Sequence, residues 1–411
     1  MKKTILILSF VVYISSLAVA QPVRVGAEVF VEKNLDSVRG KKLGIVCNQT
    51  SVFPNGTHLV DSLRRLGLEV TALFSPEHGI RGQAAAGVQI GNQIDSGTGL
   101  TVYSLYGKTL KPTAEMVRNV DVFIFDLQDA GSRFFTFSST MANVMEAARD
   151  FGKKIYVLDR PNPINGVDLE GPVLDMTLIS FFGLFPIPVR HGLTMGELAN
   201  MIVGEGWLNY NSSVDLTVVP MEGWRRSMWY DSTGLPWIPP SPNMKTLATA
   251  TVYPGTCFFE ATNISEGRGT PKPFEYIGAP NLNSEKAVSL LSRLHLPGAR
   301  FSPVIFTPRA DSVAAPDPKF KDKQCRGVSV RVVDRKKYRP VLTGLMMLSI
   351  LHDLYPRKIQ VLQGRLDRLT GDTNIGERLM RGKVEKEILE PFKSQLDEFK
   401  ERRAKYLLYK E

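Results

Sequence analysis

The chain has 411 residues, 43% of them hydrophobic, so a large core is easily built, and its formal charge of +10 suits an anionic partner. Three cysteines, Cys47, Cys257 and Cys325, are too few and too widely spaced for a disulfide scaffold or a zinc site. Three buried thiols are the plain reading, with a Cys257–Cys325 pair as the alternative after export.

The N-terminus sets the expected compartment. Lys2 and Lys3 precede a largely apolar run from Ile5 to Leu17, and Ala18-Val19-Ala20 forms a small-x-small cleavage site before Gln21. This pattern predicts a signal peptide over 1–20 and a periplasmic or secreted protein. No Cys stands at the cleavage site to carry a lipid, and no later segment approaches the roughly 20 apolar residues of a membrane span. Loss of Lys2 and Lys3 lowers the formal charge to +8. No basic stripe interleaved with aromatics points to nucleic acid, so an anionic wall polymer is the better match.

From Lys42 to about Pro220, short apolar runs ending in polar residues alternate with amphipathic stretches. Strands are predicted at 43–47, 68–74, 120–126 and 154–159, and helices at 58–66, 113–119, 140–151 and 194–205. The alternation predicts an α/β fold, a Rossmann-like doubly wound, mostly parallel sheet over residues 21–250. No G-x-G-x-x-G and no G-x-x-x-x-G-K-[ST] accompanies it, so dinucleotide and NTP binding have no support. A Trp- and Pro-rich crossover with Trp224, Trp229 and Trp237 leads into a smaller α+β C-terminal domain over 251–411. There a helix is expected at 284–294, strands at 300–307 and 327–333, and helices at 341–354 and 384–409. Ile388, Leu389, Phe392, Leu396 and Phe399 would form the buried face of the last helix.

Ligands of open α/β sheets bind beyond the carboxyl ends of the strands, at the topological switch point. Polar clusters stand at those positions: Ser75-Pro76-Glu77-His78-Gly79-Ile80-Arg81-Gly82, then Asp126-Leu127-Gln128-Asp129 with Arg133, then Asp159-Arg160-Pro161-Asn162, then Arg190-His191-Gly192. The C-terminal part supplies Glu260-Ala261-Thr262-Asn263-Ile264-Ser265-Glu266-Gly267-Arg268. If the two domains face each other across a cleft, Glu260 and Glu266 could approach Glu77.

The strings SPEHGIRG, FDLQDAGSRFFTF, LDRPNPINGVDLEGP, PVRHGLTMGELA, PPSPNM and VYPGTCFFEATNISEGRGTPKPFE resemble the signature blocks of the NamZ family of exo-acting β-N-acetylmuramidases, formerly the DUF1343 family of unknown function. The resemblance runs from Gly44 to the LDRLTGD segment near Asp372. One block, FFGLFPIPVRHG, departs from the family pattern, and its phenylalanines could alter a pocket wall. The resemblance implies exo-hydrolysis of a terminal, non-reducing N-acetylmuramic acid from peptidoglycan fragments made of N-acetylmuramic acid and N-acetylglucosamine. It also implies that the C-terminal domain closes the cleft.

Glycoside cleavage needs an acid for the leaving oxygen and a second group for the oxocarbenium-like centre. Glu77 is expected as the general acid, the alternative being a carboxylate that only caps its own turn. Glu266 and Glu260 lead the candidates for the second carboxylate, with Asp126 and Asp129 behind them. Arg81, Arg133, Arg160 and Arg268 could hold the lactyl carboxylate through paired charge-assisted hydrogen bonds, or serve as partners of neighbouring acids. Gln128, Asn162, Asn243 and Asn263 could bind ring hydroxyls or the N-acetyl group, although asparagines beside prolines often only stabilise turns. His78 could orient Glu77. His191 is a weaker ligand candidate, Glu170 could belong to the site or simply brace its loop, and the tryptophans could stack on sugar or pack in the core. No metal motif and no G-x-S-x-G elbow appears, so hydrolysis by carboxylates without a cofactor is expected. The rivals are a non-catalytic muropeptide-binding protein and a hydrolase of another bond.

Overall fold

The computed structural model describes residues 22–82, 91–208, 213–380 and 389–411. The expected signal peptide and Ile388 lie outside the described residues.

Seven strands make one sheet: β1 (Lys42–Cys47), β2 (Glu69–Ser75), β3 (Gln93–Ile94), β4 (Thr101–Ser104), β5 (Val122–Asp126), β6 (Lys154–Leu158) and β9 (Leu216–Val219). Their order is β3-β4-β2-β1-β5-β6-β9, and all neighbours are parallel except β3 with β4. β1 and β5 are almost wholly buried because both faces of the sheet are covered, which is why they read as unbroken apolar runs. Alternate side chains feed two cores. Leu43, Ile45 and Ile124 face the helices α1 (Gly26–Lys33) and α3 (Leu59–Arg65), a short α2 (Leu35–Val38) lying between those helices in sequence. Val46, Phe123 and Phe125 face α4 (Phe137–Asp150) and α5 (Met195–Gly204). Thr194 and Glu197 close a capping box at the start of α5.

The chain leaves β1 in one direction to β2 and β4, then returns across β1 to β5, so the switch point lies between β1 and β5. A two-stranded hairpin, β7 (Glu170–Val173) with β8 (Pro188–Arg190), stands apart from the sheet.

The C-terminal part begins with α6 (Leu247–Thr256). Its three-stranded antiparallel sheet, ordered β10-β12-β11, comprises β10 (Tyr276–Ala279), β11 (Ala299–Phe306) and β12 (Cys325–Val332). Around it lie α7 (Ser284–Arg293), α8 (Pro340–Leu354), α9 (Gln363–Thr370), α10 (Ile375–Met380) and α11 (Lys393–Ala404). The core on the α4 and α5 side continues without a break through Phe258, Val328 and Leu345. The last helix turns back on the first sheet's loops: buried Arg403 donates to the carbonyls of Gly166 (3.1 Å) and Val167 (2.9 Å). Beyond it, the Tyr409 hydroxyl donates to Asp159 Oδ2 at 2.5 Å.

Three expectations differ from the fold. The last helix covers Lys393–Ala404, preceded by a 3-10 turn at Glu390–Phe392, rather than running on to 409, and Leu396 is only half-buried on it. Residues 113–119 form turns rather than a helix, because about seven residues offer little return on helix nucleation and Val117 and Val120 must drop directly into the core. The stretch expected as crossover contains α6, whose Thr, Val, Pro254 and Gly255 are poor helix formers. Packing decides there: a Cβ on Gly255 would stand 1.8 Å from the Pro340 carbonyl oxygen, so glycine alone allows α6 to touch α8 this closely. No helix among the described residues is long and apolar enough to cross a membrane. Cys47, Cys257 and Cys325 are free buried thiols.

Candidate active site

The switch point is filled by the protein itself. Arg160 reaches both oxygens of Asp126, Nε to Oδ1 at 2.5 Å and Nη2 to Oδ2 at 2.9 Å, and both side chains are buried. Burial disfavours the Arg160 charge, but Asp126 outweighs it and holds the guanidinium pKa above its ordinary value. Ser51 Oγ donates to the Asp126 carbonyl, and the Gln128 amide N–H donates to Thr50 Oγ1. The space left is about 10 Å³, too little for a ligand.

An open pocket of about 340 Å³ lies to one side of the switch point, beyond the carboxyl ends of β2 and β4, and its far wall comes from the C-terminal part. Glu77 follows β2 in a tight turn closed by Gly79 N–H to Pro76 O at 3.1 Å. His78 and Gly79 both take φ 76°, and for a non-glycine such as His78 that conformation costs on the order of 1 kcal/mol. The strained turn presents Glu77 and His78 together to the pocket. Thr136 Oγ1, at the start of α4, donates to Glu77 Oε2 at 2.9 Å. The Tyr106 hydroxyl, from the loop after β4, donates to the same carboxyl, and burial together with that carboxyl pushes the phenol pKa up.

Across the pocket stand Glu260, in the 3-10 turn that follows α6, and Glu266 and Arg268 from the next loop. Gly267 and Gly269, both at φ 77°, give that loop its shape; a Cβ on Gly269 would lie 2.4 Å from the Arg309 carbonyl oxygen. Arg268 Nη2 donates to Glu260 Oε1 at 2.6 Å and its Nε lies 3.4 Å from Glu266 Oε1. Arg365 Nη2, on α9, donates to Glu260 Oε2 at 2.8 Å. Lys319 Nζ donates to Glu266 Oε2 at 2.9 Å and to the carbonyls of Phe259 and Ile264. Burial pushes the Glu260 carboxyl up, yet Arg268, Arg365 and Lys319 prevail and hold it below the usual range, while Glu260 and Glu266 hold the Arg268 pKa high. One wall thus presents a carboxyl held by hydroxyls, the other two carboxylates held by cations.

Of the residues singled out in the sequence, Glu77, His78, Glu260, Glu266 and Arg268 meet in this pocket. The others do not line it, because backbone groups or ion-pair partners already occupy them. Arg81 makes a forked pair with Asp95 at 2.9–3.1 Å. Asp126 and Arg160 neutralise each other at the switch point, and Gln128 donates to the Asp129 and Pro161 carbonyls. Arg133, 1% exposed, gives its guanidinium to the carbonyls of Pro172, Ile187 and Leu369 at 2.9–3.1 Å, and burial pulls its pKa down to about 9. Asn162 donates to Leu193 O, and Asn263 clasps Lys358 O and Gln360 N–H. Asn243 stands behind the pocket wall, donating to Ala314 O at 2.6 Å. His191 accepts from Leu193 N–H, and burial drives its pKa down to about 3. Asp129, 3.9 Å from His191 Nε2, is pushed up to about 7 by burial. Glu170 accepts from Leu342 N–H and so caps α8. Trp224 packs on Tyr409, Trp229 lies between Arg190 and Arg335, and Trp237 donates to Met244 O.

Sequence reasoning missed Tyr106, Thr136, Lys319 and Arg365. Tyr106 lies two residues beyond the end of β4, as Glu77 lies two beyond the end of β2, but no Gly-rich string marks it. Arg365 lies on an ordinary amphipathic helix.

The two halves of this pocket correspond to two matches among known protein families. Residues 43–248 match the family description "Exo-beta-N-acetylmuramidase NamZ, N-terminal", and residues 251–409 match its C-terminal counterpart. The peptidoglycan β-N-acetylmuramidase NamZ of Bacillus subtilis is 44% identical over 389 residues, which covers 94% of this chain and 91% of that protein. Two crystal structures of DUF1343 family proteins from Bacteroides fragilis share the fold. One has a TM-score of 0.85 at 38% identity, covering 95% of this chain and 99% of the other. The second has a TM-score of 0.77 at 32% identity, covering 95% and 100%. With both halves matched and nearly the whole length aligned, the chain belongs to the NamZ family of exo-β-N-acetylmuramidases.

Proposed function

We propose that this protein acts outside the cytoplasm on peptidoglycan fragments, cleaving a terminal, non-reducing N-acetylmuramic acid from the N-acetylglucosamine that follows it. The observation that carries the reading is Glu77: a buried carboxyl, fixed by the Thr136 and Tyr106 hydroxyls, that faces Glu260 and Glu266 across a pocket of about 340 Å³. Such a pocket takes one substituted sugar ring rather than a chain, in keeping with exo action. Glu77 protonates the departing glycosidic oxygen, and water adds to the anomeric carbon, giving up the proton that replaces the one Glu77 donated. Glu260, kept ionised by Arg268, Arg365 and Lys319, and Glu266, paired with Arg268 and Lys319, stabilise the positive charge that develops at the anomeric carbon. The lactyl carboxylate goes to Arg365. Every donor of Lys319 is committed, whereas the Arg365 side chain is 49% exposed and spends one nitrogen on Glu260. Export rests on the charged, apolar and small-residue pattern of residues 1–20.

The test is turnover by the mature protein of a chromogenic β-N-acetylmuramide and its glucosaminide counterpart, with and without EDTA, beside Glu77→Gln. Release from the muramide alone, insensitive to EDTA, is expected. Glu77→Gln should lower kcat about 10²–10⁴-fold on the natural disaccharide and less on the aryl glycoside, whose leaving group needs little protonation. A folded protein that binds muropeptides but releases nothing from either compound would instead be a wall-binding protein.

A further inference from the structure

The segment between β7 and β8 makes an excursion that a hairpin does not need. Leu174 N–H still pairs with Ile187 O at 3.2 Å, and the chain then runs out and back through Ser180–Gly183. Ser180 and Gly183 exchange two backbone hydrogen bonds, at 3.1 and 2.9 Å, which leaves Phe181 and Phe182 as the two residues at the tip. Turn tips usually carry Gly, Asn, Asp or Ser, whereas this one carries two phenylalanines, neither of them at positive φ. Phe182 and two neighbours on the excursion are placed against the hydrophobic effect. Phe182 is 40% exposed, Met176 44% and Ile179 51%, three of the nine large hydrophobic side chains exposed among the described residues.

The tip is held in place rather than left loose. Asp175 N–H bonds to Gly371 O at 2.9 Å, and Gly183 rests against the buried side chain of Arg133, where a Cβ would come within 3.4 Å. Phe182 lines the mouth of the pocket, and the Phe181 ring packs on Tyr106 with centroids 5.8 Å apart and planes tilted by 58°. Tyr106 in turn hydrogen-bonds the Glu77 carboxyl. The aromatic strip therefore begins at the acid and leads out of the pocket.

We infer that Phe181, Phe182 and Tyr106 form a subsite for the leaving amino sugar, stacking on the C–H face of its pyranose ring. This rests on the function proposed above: the group that donates the proton lies on the leaving-group side, and the muramyl ring occupies the closed space between Glu77 and Glu260. Only the aglycone then reaches the mouth. A pyranose offers axial C–H bonds to the electron-rich face of an aromatic ring, and an exposed, rigid ring provides that contact with little ordering.

Two substrates separate the subsite from the rest of the pocket: the peptide-free disaccharide and β-N-acetylmuramyl fluoride, in which one atom replaces the leaving sugar. For Phe181→Ala/Phe182→Ala, the ratio of disaccharide to fluoride kcat/KM should fall about tenfold, mainly through KM, the effect of one or two lost aromatic contacts. Phe182→Trp should keep the ratio and Phe182→Leu should not, while fluoride turnover on the same preparations reports folding. A ratio within twofold of the parent's in the double variant overturns the inference. So does a fall seen only when the disaccharide carries a stem peptide, which would make the strip a peptide platform. A parent protein that turns over neither compound would instead remove the glycosidase reading on which the inference stands.

Discussion

Replacing Asp126 by Asn takes the charge from one side of the ion pair that fills the switch point and leaves the Arg160 guanidinium behind. In the parent, that guanidinium places two nitrogens on the two carboxylate oxygens at 2.5 and 2.9 Å, with exposures of 5% for Arg160 and 0% for Asp126. Asparagine offers one acceptor and turns an N–H group toward the guanidinium, whose other contact is the Val52 carbonyl at 3.2 Å. An uncompensated buried charge costs about 3–5 kcal/mol, a large share of the roughly 5–15 kcal/mol that stabilises a typical domain. The assay is urea unfolding with the slope m monitored, since a constant m shows that stability alone has changed. Turnover of the muramide is measured on the same protein at 25 °C, where KM should stay within about twofold because the pocket does not include Asp126. Replacing both partners, Asp126→Leu with Arg160→Met, should recover most of the loss by removing both charges together. A cost below about 1 kcal/mol combined with a tenfold rise in KM would refute the reasoning and return the ligand to the switch point.

Asp129 gives a pH signature. Burial raises its carboxyl to about 7, so its contribution to stability is complete below the ordinary Asp value of 3.8 and is lost as pH climbs through about 7, on the order of 4 kcal/mol in all. Asp129→Asn should flatten the dependence of the urea midpoint on pH between about 4 and 7 and be relatively more stable at pH 8 than at pH 5; equal differences at both values would contradict this. Gly255→Ala sets a Cβ 1.8 Å from a backbone oxygen, which no side-chain rotation relieves, so α6 and α8 must part. A loss of about 1–3 kcal/mol or more is expected by urea unfolding, together with a lower kcat because the turn that carries Glu260 follows α6 directly. Arg365→Met should raise KM for the muramide about 10–100-fold with a smaller change in kcat, and so narrow the preference over the glucosaminide. An unchanged preference would take the lactyl group away from Arg365.

Much of the sheet was legible because β1, β2, β5 and β6 are covered on both faces and leave continuous apolar runs in the sequence. α6 was not, since its formation depends on the Gly255 contact with α8, which local propensity does not record. In the site, Glu77, Glu260, Glu266 and Arg268 stood out because Gly and Pro shape their loops and polar side chains crowd there. The same texture surrounds Arg133 and Arg160, and there it misled. A guanidinium in a Gly-rich loop serves equally well to hold a ligand or to satisfy carbonyls, and burial decides between them. Arg365 escaped notice for the opposite reason: an arginine on an amphipathic helix reads as a solvated face until the fold turns that face toward a cleft.

Arg133 shows why a residue without a ligand can still matter to the site. Among the described residues its guanidinium has no carboxylate partner, and burial pulls its pKa down to about 9, so it weakens the fold as a charge. Its hydrogen bonds explain its use. Pro172 and Ile187 lie on the outgoing and returning arms of the aromatic excursion, and Leu369 lies on α9, four residues after Arg365. One planar group thus fixes three carbonyls at once, two that aim Phe181 and Phe182 and one that sets the helix carrying the cation beside Glu260. Lysine, a point charge on a flexible stem, cannot reach all three in one plane. Loosening this brace would shift the leaving-sugar strip and the cationic wall together, although neither touches Arg133 through its functional atoms.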